Sequence, residues 1–138
     1  MNSADEAKWH WAEGMKFALE GFKLLFILNG AASISILTFI GNMKAGSIQL
    51  ILSLLCFALG AATTVPAMVL AYLTQLQYGN ASQAGPNGGP LWRKAGKRHY
   101  AAYGFIALGL LCFVIGTILA ACGLIQIPST NLPCPNHP

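Results

Sequence analysis

The sequence contains few charged residues. Only 9% of its 138 residues are Asp, Glu, Lys or Arg, whereas soluble domains contain about 25%. All four acidic residues fall within the first twenty positions. Hydrophobic residues make up 55% of the chain, and the mean hydropathy is +0.57. A soluble fold cannot bury that much apolar surface, so the composition predicts an integral membrane protein.

Sequence motifs for catalysis are missing as well. The chain has no HExxH metal motif, no phosphate-binding loop and no recognisable Ser/His/Asp set. The segments between its apolar runs are too short to enclose a substrate. We therefore expect no enzyme activity, no cofactor and no bound metal. Small four-span proton-coupled exporters are also a poor match, because this chain has no acidic residue deep in an apolar run and lacks a fourth run.

The cysteines do not form a pattern for cross-linking. None of the four occurs in a CxxC pair, and Cys56, Cys112 and Cys122 lie inside apolar runs, where cysteine behaves as a small hydrophobic residue. A disulfide or metal framework is therefore not expected. Cys134 lies in the C-terminal tail. An intermolecular disulfide is one alternative for it, and an unused thiol is the favoured one.

Three uncharged or nearly uncharged runs predict an all-α protein with three transmembrane helices, which form a single membrane domain over 1–138. We place the spans at 23–41, 47–77 and 100–127. The third run more than covers a hydrocarbon core of about 30 Å. The second run is longer than a crossing requires and contains Pro66, so it should tilt, kink at the proline or project beyond the membrane.

An amphipathic helix is predicted over 3–22, before the first span. Lys16 and Lys23 are spaced to pair with Glu13 and Glu20. The helix could lie flat in the headgroup region or continue into the first span. We favour a continuous helix because no proline or glycine pair interrupts the sequence. The acidic residues and the lack of a cleavage site exclude a signal peptide.

The segment 78–99 is predicted to be a basic cytoplasmic loop, and its part 80–90, which is rich in Gly, Pro, Ser and Asn, is predicted to be mobile. A proline-rich tail at 128–138 follows the third span. Every Lys and Arg except Lys44 falls in the N-terminal segment, at the first residue of the first span or in this loop. By the positive-inside rule, we expect the N-terminus and this loop on the cytoplasmic side of a bacterial inner membrane, and the C-terminus on the outside.

Charged and aromatic residues near the predicted cytoplasmic boundary are interpreted as contacts to lipid headgroups. The basic cluster has no interleaved aromatic residues for stacking bases, so anionic lipids are expected partners and nucleic acid is not. His10 stands between two tryptophans, and interfacial anchoring is favoured over a pH sensor or a metal ligand. The residues assigned to this boundary are Arg93, Lys94, Lys97, Arg98, Trp9, Trp11 and Trp92.

Small residues recur every seven positions in the third run, at Ala102, Gly109, Gly116 and Gly123. They form a stripe that lets another helix approach closely, which is how helices associate in lipid. The second run offers a matching small residue at Gly60. The partner helix is either in the same chain or in a second copy, and the sequence favours neither.

Polar residues interrupt the first span. Asn29 and Ser33 share one helical face, and Ser35 and Thr38 share another. Polar groups within a span are candidates for lining a water path. The favoured alternative is that Asn29 bonds to a neighbouring helix and the hydroxyls bond to their own backbone.

These features predict a small membrane protein that associates with itself through small-residue helix faces. A homo-oligomeric pore or membrane-permeabilising effector is the favoured function. The alternative is a non-catalytic accessory or assembly subunit of a larger membrane complex.

Overall fold

A computed structural model describes residues 3–43 and 47–126, and they form three long helices. Helix α1 is Ser3–Met43, α2 is Ile48–Gln83 and α3 is Gly89–Ile125, with a 3₁₀ turn, Gly85–Gly88, between α2 and α3. At 1.5 Å per residue the three helices are about 62, 54 and 56 Å long. Each is long and apolar enough to cross a membrane. The predicted all-α class with three apolar helices is confirmed. The tail at 128–138 lies outside the described residues.

Helix α1 runs without a break through the predicted amphipathic segment and the first span. The prediction of a continuous helix is therefore confirmed. Both predicted ion pairs form on its exposed surface, Lys16 to Glu13 and Lys23 to Glu20, each at 2.7 Å between Nζ and Oε1. Helix α2 likewise continues through Pro66 to Gln83. Its 36 residues exceed the length needed to cross a bilayer.

The segment 78–99, which was predicted to be a loop, is mostly helical. Helix α2 ends only at Gln83, and α3 begins at Gly89. Proline occupies the first turn of both the 3₁₀ turn and α3, where its missing N–H costs no hydrogen bond. The glycines and prolines that suggested a flexible loop thus belong to a tight reversal and to the start of a helix.

Two glycines make this reversal possible. Gly85 has a φ of 55°, in the left-handed region that side chains disfavour. Gly88 packs so closely that a Cβ there would overlap the carbonyl oxygen of Ala81. The chain therefore turns from α2 into α3 within a few residues, and the two helices form a hairpin.

Helices α2 and α3 pack against each other along most of their lengths, whereas α1 packs mainly on α2. The buried side chains described on α1 are Phe22, Leu25 and Asn29. Beyond Asn29, none of the residues 30–42 is buried. The hairpin of α2 and α3 is thus the scaffold, and the described side chains that α1 buries on it lie only in its middle, between Phe22 and Asn29.

Cysteine accessibility tests the predicted orientation. In a chain whose native cysteines are replaced by alanine, Lys97→Cys and Gln126→Cys introduce thiols at exposed positions near opposite ends of α3. A membrane-impermeant maleimide added to intact cells should label position 126 and reach position 97 only after the membrane is opened. Labelling of position 97 in intact cells would contradict the orientation derived from the charge distribution.

Candidate functional site

The small residues of α3 lie in its contact with α2. Ala102, Gly109, Gly116 and Gly123 are all buried within the chain. A Cβ on Gly116 would come within 2.9 Å of the Phe57 ring. The predicted stripe therefore serves helix packing inside the chain, which favours the intrachain alternative over an interface between copies.

The same close approach holds at both ends of the glycine series. A Cβ on Gly123 would lie 2.8 Å from Ser47 Oγ and 2.9 Å from Leu50 Cγ. At the other end, a Cβ on Gly109 would lie 2.8 Å from Thr63 Oγ1 and 3.0 Å from Leu25 Cδ2. Real Cβ atoms rarely have contacts this short, so each glycine marks a place where a larger residue would push the helices apart.

Asn29 is buried at the point where α1, α2 and α3 meet. Its side chain has no exposed surface. Nδ2 donates a hydrogen bond to the Leu25 carbonyl, one turn earlier on the same helix, at 3.0 Å. Oδ1 occupies the space that a Cβ of Gly60 would fill, and it has no hydrogen-bond partner within the described residues. The amide therefore fits against the Gly60 backbone rather than facing a water path.

This three-helix junction is closed by residues from every helix. Leu25 of α1 and Thr63 of α2 both approach Gly109 of α3. The Thr63 hydroxyl donates to the Gly60 carbonyl at 2.7 Å, so its hydrogen bond is made within α2. Asn29 thus packs between helices, but its hydrogen bond is made within α1 and not to a neighbouring helix as predicted.

The other predicted polar residues of α1 lie closer to its surface. Ser33 is half-buried, whereas Ser35 and Thr38 are exposed. The Ser35 hydroxyl donates to the Ala31 carbonyl at 2.8 Å. The structure therefore does not bring the four candidates together, because Asn29 faces the junction while Ser35 and Thr38 face outward.

Sequence reasoning missed a set of buried hydroxyls on α2. Each donates to a carbonyl three or four residues earlier on α2, at 2.7 to 2.9 Å. Their spacing along one face of the second run was the available signal, but a buried and an exposed hydroxyl look alike in sequence. These residues are Ser53, Thr63, Thr64 and Thr74.

Sequence reasoning also missed a groove between the three helices, which we call the interhelical groove. Its volume is about 740 Å³, and its walls are mainly apolar. The small residues on all three helices leave this space open, and larger side chains form its borders. The lining residues are Gly14, Met15, Lys16, Ala18, Leu19, Phe22, Met68, Ala71, Tyr72, Gln75, His99, Ala102, Tyr103 and Ile106.

Aromatic side chains continue from this groove towards the 3₁₀ turn. The Tyr103 and His99 ring centroids lie 4.5 Å apart, and those of Tyr78 and Trp92 lie 5.0 Å apart. His99 and Tyr78 connect the two pairs at 6.4 Å. Trp9 and Trp92 are exposed, as anchors at an interface should be, and the Trp11 side chain lies outside the described residues.

Of the predicted basic cluster, Arg93, Lys94 and Lys97 are exposed and Arg98 is half-buried on the first turns of α3. Within the part of the chain that the structure describes, none of the four makes an ion pair. No group of three His, Cys, Asp or Glu residues that could hold a metal is found among the described residues.

Comparison with protein-family models, curated proteins and solved structures finds no match. The function is therefore inferred from the geometry of this chain's own residues.

Proposed function

We propose that this chain is an integral protein of the bacterial inner membrane, with a cytoplasmic N-terminus, and that it forms a homo-oligomeric pore. The observation that carries this proposal is the last third of α1. None of residues 30–42 is fully buried within the protomer, although this segment contains small and hydroxyl-bearing residues.

The large exposed side chains of this segment, Ile34 and Leu37, suit lipid, but its glycines leave open space. Gly30 and Gly41 have no atom within 4 Å of the position that a Cβ would occupy. Helices in lipid associate where small residues allow close backbone contact. A second copy of α1 would fill these places and bury area that the protomer leaves open. This supports self-association through α1, whereas the glycines of α3 already pack inside the chain.

The exposed hydroxyls indicate where a water path would run. Ser35 and Thr38 lie three residues apart, so they share one face of α1. Ser35 already donates to the Ala31 carbonyl, and its oxygen can still accept a hydrogen bond from water. No charge is present in this part of α1. A ring of such helices would therefore conduct through a narrow, weakly polar path of the kind that gates by dewetting.

Replacing Ser35 and Thr38 together with leucine is expected to lower the single-channel conductance by about tenfold, because the path loses its polar lining and dries. The matched control is Thr117→Leu. Thr117 is also exposed and its hydroxyl donates to the Phe113 carbonyl at 2.8 Å, but it lies on α3. Conductance in planar bilayers and oligomer mass in detergent are measured on the same preparations. An unchanged conductance in the double variant would exclude this lining.

An accessory subunit is the second candidate, and the first turns of α3 favour it. Arg93, Lys94 and Lys97 are exposed there and make no ion pair within the described residues. A partner with an acidic surface could dock on them. Purification from the native membrane distinguishes the two functions. A pore should purify as copies of this chain alone, and a subunit should bring another protein in a fixed ratio.

A further inference from the structure

The interhelical groove has a graded chemistry along its length. The three helices line it over about 12 Å, which corresponds to residues 14–22 of α1. Phe22, Met68 and Ile106 form one end, which is apolar. Because α2 runs antiparallel to α1 and α3, residues 16, 75 and 99 meet at the opposite end. A molecule that fits the groove is therefore apolar at one end and polar at the other.

The polar end contains Lys16, Gln75 and His99. The Gln75 Nε2 atom donates to Met15 Sδ at 3.1 Å. Its Oε1 atom is buried and has no partner within the described residues, so rotation of the Gln75 side chain towards the groove would let it accept a hydrogen bond from a ligand hydroxyl. Lys16 pairs with Glu13, but its side chain is 73% exposed. An exposed ion pair contributes little, so the ammonium can move to another anion at small cost.

We propose that the interhelical groove binds one anionic phospholipid, with an acyl chain at the Phe22 end and the headgroup at the Lys16 end. The volume of about 740 Å³ is within the usual range for ligand sites. The polar end faces the predicted cytoplasmic side, where anionic lipids are attracted to basic residues. The cations at the start of α3 lie on that side as well, and they add to the attraction.

A second copy of this chain fits the groove less well. The groove covers only about 12 Å, which is about two helical turns, so a second helix would bury little area in it. A second copy would also place apolar side chains against Lys16 and Gln75. This proposal is independent of the pore, because lipid retention is measured without any conductance.

The test uses delipidated full-length protein in detergent and native mass spectrometry. Phosphatidylglycerol or phosphatidylcholine with identical acyl chains is added, and the retained lipid is counted. We expect one phosphatidylglycerol per protomer, retained about fivefold more than phosphatidylcholine, since one lysine close to the headgroup gives a factor of this size. Equal retention of the two lipids would contradict the proposal.

Two variants locate the bound lipid. Ala18 is exposed and lines the groove, so Ala18→Trp should fill the space and abolish retention. Ala101→Trp is the matched control, because Ala101 is exposed at the same level but does not line the groove. Lys16→Gln should reduce the preference for phosphatidylglycerol to near parity, and this surface change keeps the test decisive if Ala18→Trp does not fold. Lipid retention that survives Ala18→Trp would overturn the proposal. It would also be overturned if the wild type bound no lipid and Ala18→Trp instead dissociated an oligomer, because the groove would then hold a second copy of the chain.

Discussion

Gly116→Leu is expected to prevent stable folding of the chain in detergent. Gly116 lies where α3 approaches the Phe57 ring, and even a methyl group would come within 2.9 Å of it. A leucine requires far more space than a methyl group. Overpacking of this kind costs on the order of 1–3 kcal/mol or more, which exceeds the gain of up to about 1 kcal/mol from replacing glycine in a helix. The measurements are the yield of monodisperse protein and the thermal unfolding followed by circular dichroism.

Gly104→Leu is the matched control on the same helix. Gly104 is exposed and has no atom within 4 Å of a Cβ position, so this variant should be as stable as the wild type or slightly more stable. The experiment also separates the two uses of the glycine stripe. If the Gly116→Leu protein folds normally and loses only the ability to form oligomers, the stripe faces a second copy and not α2.

Gly60→Ala is expected to destabilise the protein, although alanine favours a helix by up to about 1 kcal/mol over glycine. The new Cβ would overlap Asn29 Oδ1 and lie 2.7 Å from Asn29 Cγ. Asn29 is fully buried between the helices, so its side chain has little room to move. We expect a loss of about 1–3 kcal/mol in the free energy of unfolding, measured by thermal or denaturant unfolding in detergent.

The destabilising effect of Gly60→Ala should disappear when Asn29 is shortened. In an Asn29→Ala background the overlap is gone, so Gly60→Ala should be neutral or stabilising by up to about 1 kcal/mol. Residues in direct contact typically show coupling energies of 0.5–3 kcal/mol. Gly30→Ala serves as the control, because Gly30 has open space around its Cβ position. Additive effects of the two substitutions would show that Asn29 and Gly60 do not pack as described.

The three helices could be predicted from the sequence because each depends on local composition. Three apolar runs predicted three long helices, and the absence of a helix breaker near residue 23 predicted that α1 is continuous. The seven-residue spacing of small residues identified the packing face of α3, because periodicity determines which residues share a helix face.

The partner of that face could not be predicted, because a glycine groove looks the same whether it accepts a helix of its own chain or of another. The reversal at residues 83–89 was misjudged for a similar reason. Glycine and proline mark both mobile loops and tight turns, and only the close contact of Gly88 with Ala81 shows which is present. The interhelical groove depends on three helices meeting at one level, and no single segment contains that information.

The uneven packing of α1 also has a consequence for biosynthesis under the proposed membrane topology. Helix α1 is made first, but Gly60 and Gly109, against which its buried side chains pack, are made later. Asn29 therefore enters the bilayer before its pocket exists. Because its Nδ2 atom bonds to Leu25 in the same helix, part of the hydrogen-bonding capacity of the amide is already satisfied before α2 and α3 are made. Once the ribosome has released the α2–α3 hairpin, α1 can dock on it as the last step of maturation.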